Sequence, residues 1–255
     1  GEHARPHLVE LGLALSGKLG ALTDFELLIQ AHSNTSVKTI NNPAKADDDI
    51  NYFKRSFICE SVEAGIKAVT SIYGFSGFEP NTIMLGWSRS HESSDFLAHI
   101  LTDLKKKRLN AVFLDYNKTS GFGKKESIDI WWNGKGRNLS FALNLMRFLL
   151  ADPDWRDAQL RILIINHDNN LTDRLYRDTK IMLDERRIDA EVKIIGDEYG
   201  NRTKEMIINS ESVQADLIVL GISNNLKSYE KAYIENISQI SDLPASLMIL
   251  SPSEE

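Results

Sequence analysis

The sequence predicts an α/β fold made of two tandem, doubly wound units with mainly parallel sheets. Three observations carry this. Short apolar runs alternate with stretches of helical period along almost the whole chain, as they do where helices cover the faces of a parallel sheet. The runs "RILIIN", "EVKIIG" and "DLIVLG" are short, β-branched and nearly all apolar, the composition of strands buried on both faces. Finally, "PNTIMLGWS" at 80–88 matches "QADLIVLGIS" at 214–223, with Leu85-Gly86 standing where Leu220-Gly221 stands and Ser88 where Ser223 does. The spacing agrees: Gly86 to Val112 and Gly221 to Leu247 are both 26 residues.

Taken in order, strands are expected at 7–12, 35–40, 81–87, 110–116, 127–132, 160–166, 190–195, 215–222 and 246–250. A single long helix is expected over 51–74, because Ile58, Val62, Ile66, Val69 and Ile72 fall on one stripe and Gly74 is a suitable stop. "ALTDFELLIQ" at 21–30 reads as a further helix. "NLSFALNLMRFLL" is apolar on more than one face and should be deeply packed, ending at Asp152-Pro153, since proline cannot continue the hydrogen-bond ladder. The chain then divides into a first unit at 1–118 with four strands, a linker at 119–126 rich in Gly, Lys and Ser, and a second unit at 127–255 with five strands. Adjacent Trp131 and Trp132 in "SIDIWW" must point to opposite faces of their strand. Burial between two helix layers explains both, and a subunit interface explains one of them equally well.

Composition narrows the function. The 255 residues suffice for a real core, and 42% hydrophobic with 26% charged residues is ordinary for a globular chain. A net charge of −6 argues against nonspecific nucleic-acid binding, which needs a basic face. With Cys59 the single cysteine, no internal disulfide framework or cysteine-built zinc site is expected, and a reducing, cytoplasmic setting fits best. No apolar run approaches the ~20 residues of a membrane helix. A leading Gly in place of Met, so close to the first expected strand, suggests an excised fragment.

"GLALSGK" at 12–18 has the Gly-x4-Gly-Lys outline of a P-loop between an expected strand and an expected helix. A working P-loop needs small loop residues and a hydroxyl after the lysine for Mg²⁺. Here two intervening residues are leucines, and Leu19 follows Lys18. The simpler reading is a strand–helix turn with Lys18 in water. "WSRSHESSDF" gathers Ser88, Arg89 and Ser90 where a strand ends and a helix begins. Ligands of doubly wound sheets bind at such ends, so a small-anion or nucleotide site at Ser88, Arg89 and Ser90 is one reading. Helix capping by Ser93 or Ser94 is the other, and the favoured one. The six histidines show no ligand spacing, so no metal site is expected. No nucleophile elbow or Cys/His pairing is evident, and the carboxylates Asp47–Asp49 and Asp152, Asp154 and Asp157 read as solvated turns rather than catalytic pairs. Lys105, Lys106, Lys107 and Arg108 suit a helix C-terminus. They would also suit contact with anionic headgroups.

Two resemblances follow. Tandem five-stranded units resemble the universal stress proteins, whose ATP-binding members carry Gly-x2-Gly-x9-Gly-Ser/Thr after the fourth strand. From Gly221 the required glycines fall on Asn224 and Ile234, and from Gly86 on Arg89 and His99. The resemblance is thus to the fold without its nucleotide-gripping residues, and no cofactor is expected. More specifically, Gly77, Pro80, Asn81, Thr82, Leu85 and Gly86, followed by Ile128, Asp129, Trp131 and Trp132 in an Ile-Asp-x-Trp-Trp strand, resemble the C-terminal cytoplasmic domain of the cation-chloride cotransporters. The Asp-Asp-Gly-Gly run of many animal members is absent; Asn133-Gly134-Lys135-Gly136-Arg137 stands there.

This resemblance implies a non-enzymatic regulatory and dimerising domain, of prokaryotic type, on the cytoplasmic face of the cell membrane. The parent would be a secondary transporter moving chloride with Na⁺ and/or K⁺. The implied partners are a second copy and the membrane transport domain of the same polypeptide, with the membrane surface a further contact and nucleic acid none. The alternative is a free-standing tandem universal-stress-type protein that binds ATP.

Overall fold

A computed structural model describes residues 5–18, 20–30, 51–72, 79–87, 91–134, 137–197, 200–222, 243 and 245–253. The expected strand at 35–40, the aspartates Asp47–Asp49, Gly77 and Ser88–Ser90 lie outside the described residues.

The described elements run α1 (Pro6–Ser16), β1 (Leu22–Ile29), β2 (Tyr52–Cys59), α2 (Val62–Ile72), β3 (Thr82–Gly86), α3 (His91–Lys106), β4 (Asn110–Asp115), β5 (Ser127–Trp132), α4 (Asn138–Leu149), β6 (Gln159–Asn166), α5 (Thr172–Arg186), β7 (Glu191–Gly196), α6 (Lys204–Glu211), β8 (Leu217–Gly221) and β9 (Ser246–Ser251). Seven strands form one sheet in the order β3-β4-β9-β8-β5-β6-β7, and β1 and β2 form a separate parallel pair. Every pairing in the large sheet is parallel except β4 with β9. This is the mainly parallel α/β architecture that the alternating pattern predicts. Strand β5 has β6 on one side and β8 on the other, so the winding reverses there, as in doubly wound sheets.

The two faces of the sheet hold two cores. Trp131, Leu220, Leu247 and Phe113 pack with Leu97, Leu101 and Leu104 of α3 and Ile207 and Ile208 of α6. Ile128, Ile130, Leu217 and Val219 pack on the other side with Leu11 of α1, Leu143 and Met146 of α4 and Leu183 of α5. Adjacent Trp131 and Trp132 fall in opposite cores, so burial between helix layers accounts for both rings.

The matched segments occupy matched places. β3 pairs with β4 and β8 with β9 in the same parallel sense, with Gly86 opposite Leu114 and Gly221 opposite Leu250. The two strand pairs meet antiparallel at β4–β9, with Phe113 opposite Ile249, both fully buried. The order β3-β4-β9-β8 is therefore a palindrome about that contact.

Residues 119–126 are not a loose tether. The Asp216 carboxylate accepts from the backbone N–H groups of Lys124, Glu126 and Ser127 at 3.1, 2.7 and 3.1 Å. Asn117 Nδ2 donates to the Leu243 carbonyl at 2.9 Å, and Ser246 Oγ donates to the Gly121 carbonyl at 2.6 Å. Phe122 is buried edge-on between Tyr116 and Trp155. Polar side chains here absorb the backbone groups that a turn leaves open.

Three expectations near the N-terminus are corrected. Residues 7–12 are helix α1 rather than a strand: Pro6 sits at its first turn, where the missing N–H costs nothing, and Gly17 (φ 61°) closes it. "ALTDFELLIQ" contains strand β1 and not a helix. The expected long helix at 51–74 is a strand and then a helix, β2 and α2. Ser61 divides them, its Oγ accepting from the Ala64 N–H at 3.1 Å as a helix cap. Of the expected stripe, Ile66 and Val69 reach the core, Ile58 lies on β2, and Val62 and Ile72 stay exposed.

Candidate functional site

The P-loop outline fails on topology. Gly12 lies inside α1, Gly17 ends it, and a strand follows, so no helix N-terminus faces Lys18. The order is the reverse of the strand–loop–helix a phosphate cradle requires.

The places where this fold can hold a ligand are the carboxyl ends of β3 and β8. Both are filled from within the chain. A Cβ built on Gly221 would collide with the side chain of Asn138, the first residue of α4. Asn138 is fixed there because its Nδ2 donates to the Ile222 carbonyl at 3.0 Å. At Gly86 the same collision would be with the guanidinium of Arg5, the N-cap residue of α1. Each glycine thus lets a side chain from a neighbouring helix start lie directly on the strand end. Asn138 and Arg5 therefore lie against the two strand ends. Two buried polar atoms of residues at these strand ends have no hydrogen-bond partner, Trp87 Nε1, whose ring packs on Phe113, and Asn138 Oδ1. The two atoms lie at strand ends that face opposite ends of the sheet, because β4 and β9 pair antiparallel, and neither is a base or a nucleophile.

Ser88, Arg89 and Ser90 themselves lie outside the described residues. The next helix begins at His91, so the buried Ser94 lies within the first turn of α3 rather than at its cap.

The Ile-Asp-x-Trp-Trp strand is the polar anchor of the core. Asp129, wholly buried, receives two hydrogen bonds of 2.7 Å from Arg161 Nε and Nη2 on the adjacent strand. Arg161 also donates to the Glu211 carbonyl at 3.1 Å. The fork-to-fork geometry is the strongest form of this pair, and the Asp129 carboxylate holds the guanidinium pKa above its ordinary value. Trp131 Nε1 donates to Ser212 Oγ at 3.0 Å. Asp129 and Trp131 together fasten the C-terminal end of α6 to β5. Their acceptor and donor capacity is spent on structure, not on a ligand.

The other expected turns are likewise structural. Asp154 pairs with Lys125 at 2.6 Å, which lowers the pKa of its carboxyl, and Glu10 of α1 reaches the same ammonium at 2.9 Å. In the basic run, Lys107 is turned inward, pairing with Asp103 at 2.6 Å and donating to Thr70 Oγ1 at 2.7 Å on α2. Arg108 adopts a left-handed φ of 55° where the chain leaves α3. An open hollow of about 680 Å³ at the amino ends of β6 and β7 is lined by Arg147, Arg156, Arg161 and Arg187 with Asp189 and Glu191. No sequence motif marks it, since its residues come from three separated segments. No group of three or more His, Cys, Asp or Glu placed to hold a metal occurs among the described residues. Nor is any helix among them long and apolar enough to cross a membrane.

No protein-family model matches the sequence, and no curated protein matches it. Solved structures do. The chain is similar to the cytoplasmic domain of a prokaryotic cation chloride cotransporter, at 16% identity over 80% of this chain and 76% of that one, with a TM-score of 0.59. It is also similar to a protein of unknown function from Pseudomonas aeruginosa PAO1, at 11% identity over 80% and 72% of the two chains with a TM-score of 0.47. A protein described as a universal stress protein from Pseudomonas aeruginosa UCBPP-PA14 stands at 11% identity, 80% and 73% coverage and a TM-score of 0.47. At such identities the likeness is one of fold: the chain shares its architecture with a transporter's cytoplasmic domain.

Proposed function

We propose that this chain is a regulatory and dimerising cytoplasmic domain of a cation-chloride cotransporter and that it carries out no catalysis. The observation that carries the reading is a conjunction. The Asn81-Thr82…Leu85-Gly86 and Ile128-Asp129…Trp131-Trp132 segments occupy β3 and β5, in a fold similar over most of its length to such a domain. The sequence after both strand ends supports it, since neither Gly86 nor Gly221 is followed by the glycines of the ATP-binding stress-protein pattern. The mechanism is mechanical. The domain docks against its own copy and against the transport domain of its polypeptide, and its position biases that domain between conformations.

The test is transport by the full-length protein in proteoliposomes. Chloride-dependent uptake of ⁸⁶Rb⁺ or ²²Na⁺ that changes when the domain is deleted is expected; uptake indifferent to chloride would sink the reading. Calorimetry with ATP and Mg²⁺ separates the alternative. Micromolar binding, weakened by substitutions at Asn138 or Arg5, would favour a stress-type nucleotide-binding protein instead.

A further inference from the structure

We propose that the outer edge of β3 is the seat of one more strand, parallel to it, supplied by the polypeptide that leads into α1. The repeat of elements along the chain carries this independently of any transport role.

The described elements of the second part run β5, α4, β6, α5, β7, α6, β8 and β9, in the sheet order β9-β8-β5-β6-β7. The first part repeats this strand order from α1 onward. Helix α1 matches α4, both packing in the same core, and the parallel pair β1–β2 matches β6–β7. Helix α2 matches α6 on the opposite face, and β3–β4 matches β8–β9. Among the described strands, the one without a counterpart is β5, which bonds to the outer edge of β8.

The seat itself is visible on β3. The Trp87 N–H donates to the Leu114 carbonyl and the Asn81 carbonyl accepts from the Asn110 N–H. Strand alternation then turns the backbone groups of residues 81, 83, 85 and 87 toward β4. Those of Thr82, Met84 and Gly86 face the outer edge, where the sheet of described strands ends. Strand β3 is only half-buried along its length, whereas Leu217 to Leu220 of β8 are no more than 2% exposed. Its uncovered side chains point both ways: Met84 leans on the core of α1, and Ile83 and Leu85 lean on the core of α3. An occupant must therefore be apolar on both faces, as "SIDIWW" is.

The entry point is also set. Five residues, 133–137, join β5 to α4, whose first residue Asn138 lies on Gly221. Arg5, at the start of α1, lies on Gly86 in the same way. Chain entering α1 from its N-terminal side thus arrives beside β3 as β5 does beside β8, which places the occupant ahead of residue 1.

The test reads amide exchange at Met84 in three forms of the chain: unaltered, in the full-length polypeptide, and with Ser127–Arg137 (SIDIWWNGKGR) grafted in place of residues 1–5. Slowing of at least ~100-fold in the last two is expected, with loss of the effect when both isoleucines of the graft are replaced by proline. Unchanged exchange at Met84 overturns the proposal. So does protection in the unaltered chain that rises with protein concentration, because a second copy would then fill the edge. Should the graft disturb folding, seen as lost protection at Ile162–Ile164, the same segment with two C-terminal lysines is added in trans. Absence of protection at Met84 at saturating peptide overturns the proposal there too.

Discussion

Strands β3 and β8 have nearly the same sequence, "TIMLG" and "LIVLG", and different surroundings. Both end in a glycine with a helix-start side chain laid across it, and both pair in parallel with the strand on their inner side. Yet Leu217, Ile218, Val219 and Leu220 are fully buried, while every residue of β3 is intermediate. The difference is β5, which covers one strand and has no described counterpart beside the other. A run of apolar residues states that a strand is suited to the interior; whether it reaches the interior depends on what else is present to pair with it.

The comparison can be broken most strongly at its centre. Replacing Asp129 with Ala would leave Arg161 without its carboxylate in the covered strand β5. A loss of ~3 kcal/mol is expected, at the low end for a broken buried pair because the Arg161 side chain keeps 23% exposure. Urea unfolding checks it, and a loss below ~1 kcal/mol would show that the pair is dispensable.

Next, Leu220→Ala and Leu85→Ala measure the same deletion in the two settings. The first should cost ~2–5 kcal/mol, as a filled site leaves a cavity. The second should cost roughly half as much, because part of that surface is already in water. Equal costs would mean that the exposure of β3 has no energetic counterpart. A difference that closes when the β5 segment is grafted ahead of α1 would sharpen the comparison further.

The junction between the two regions comes third. Asp216→Ala strips the carboxylate from three backbone N–H groups of the 119–126 segment and should cost ~1–3 kcal/mol. Limited proteolysis should cut at Gly121–Lys125 in the variant and not in the parent chain.

The smallest effect is a pH dependence. His7 of α1 stacks on Tyr116 at 4.0 Å between ring centroids. Burial, and then the neighbouring Arg5 charge, lower its pKa from the ordinary 6.5. The folded state therefore favours neutral imidazole, and the unfolded chain takes up the proton first as pH falls. This contribution to stability is complete above about pH 6.5 and is lost on acidification below it. His7→Phe keeps a ring on Tyr116 and should flatten the slope of Tm between about pH 7.5 and about 5. An unchanged slope would assign the dependence elsewhere.

Legibility in the sequence followed burial. Strands β3 to β9 and helix α4 stand out because their apolar runs are broken by at most one charged residue, as Asp129, Arg161 and Lys193 break β5, β6 and β7. The region before residue 72 was misread because its strands are weakly patterned. β2 carries Lys54, Arg55 and Ser56 in its middle, all exposed, which mimics the polar side of a helix. Two local signals point to the observed boundaries: Pro6 suits a helix's first turn, and Ser61 suits an N-cap. The crevices were half-legible. The glycines absent after Gly86 and Gly221 are a reason to expect no phosphate grip, whereas no spacing rule points to Arg5 or Asn138 as the side chains laid on the two strand ends.

By itself, then, the sequence determined the layered α/β class, the opposed faces of Trp131 and Trp132, and the paired Leu-Gly strand ends. These follow from the period of side chains along a strand or helix, a local property of the backbone. Only the tertiary structure decided that β4 and β9 join antiparallel, that Asp129 meets Arg161, and that Arg5 and Asn138 close the strand ends. Such contacts unite residues far apart in the chain, and their partners are chosen by which surfaces remain to be covered once the local elements have formed.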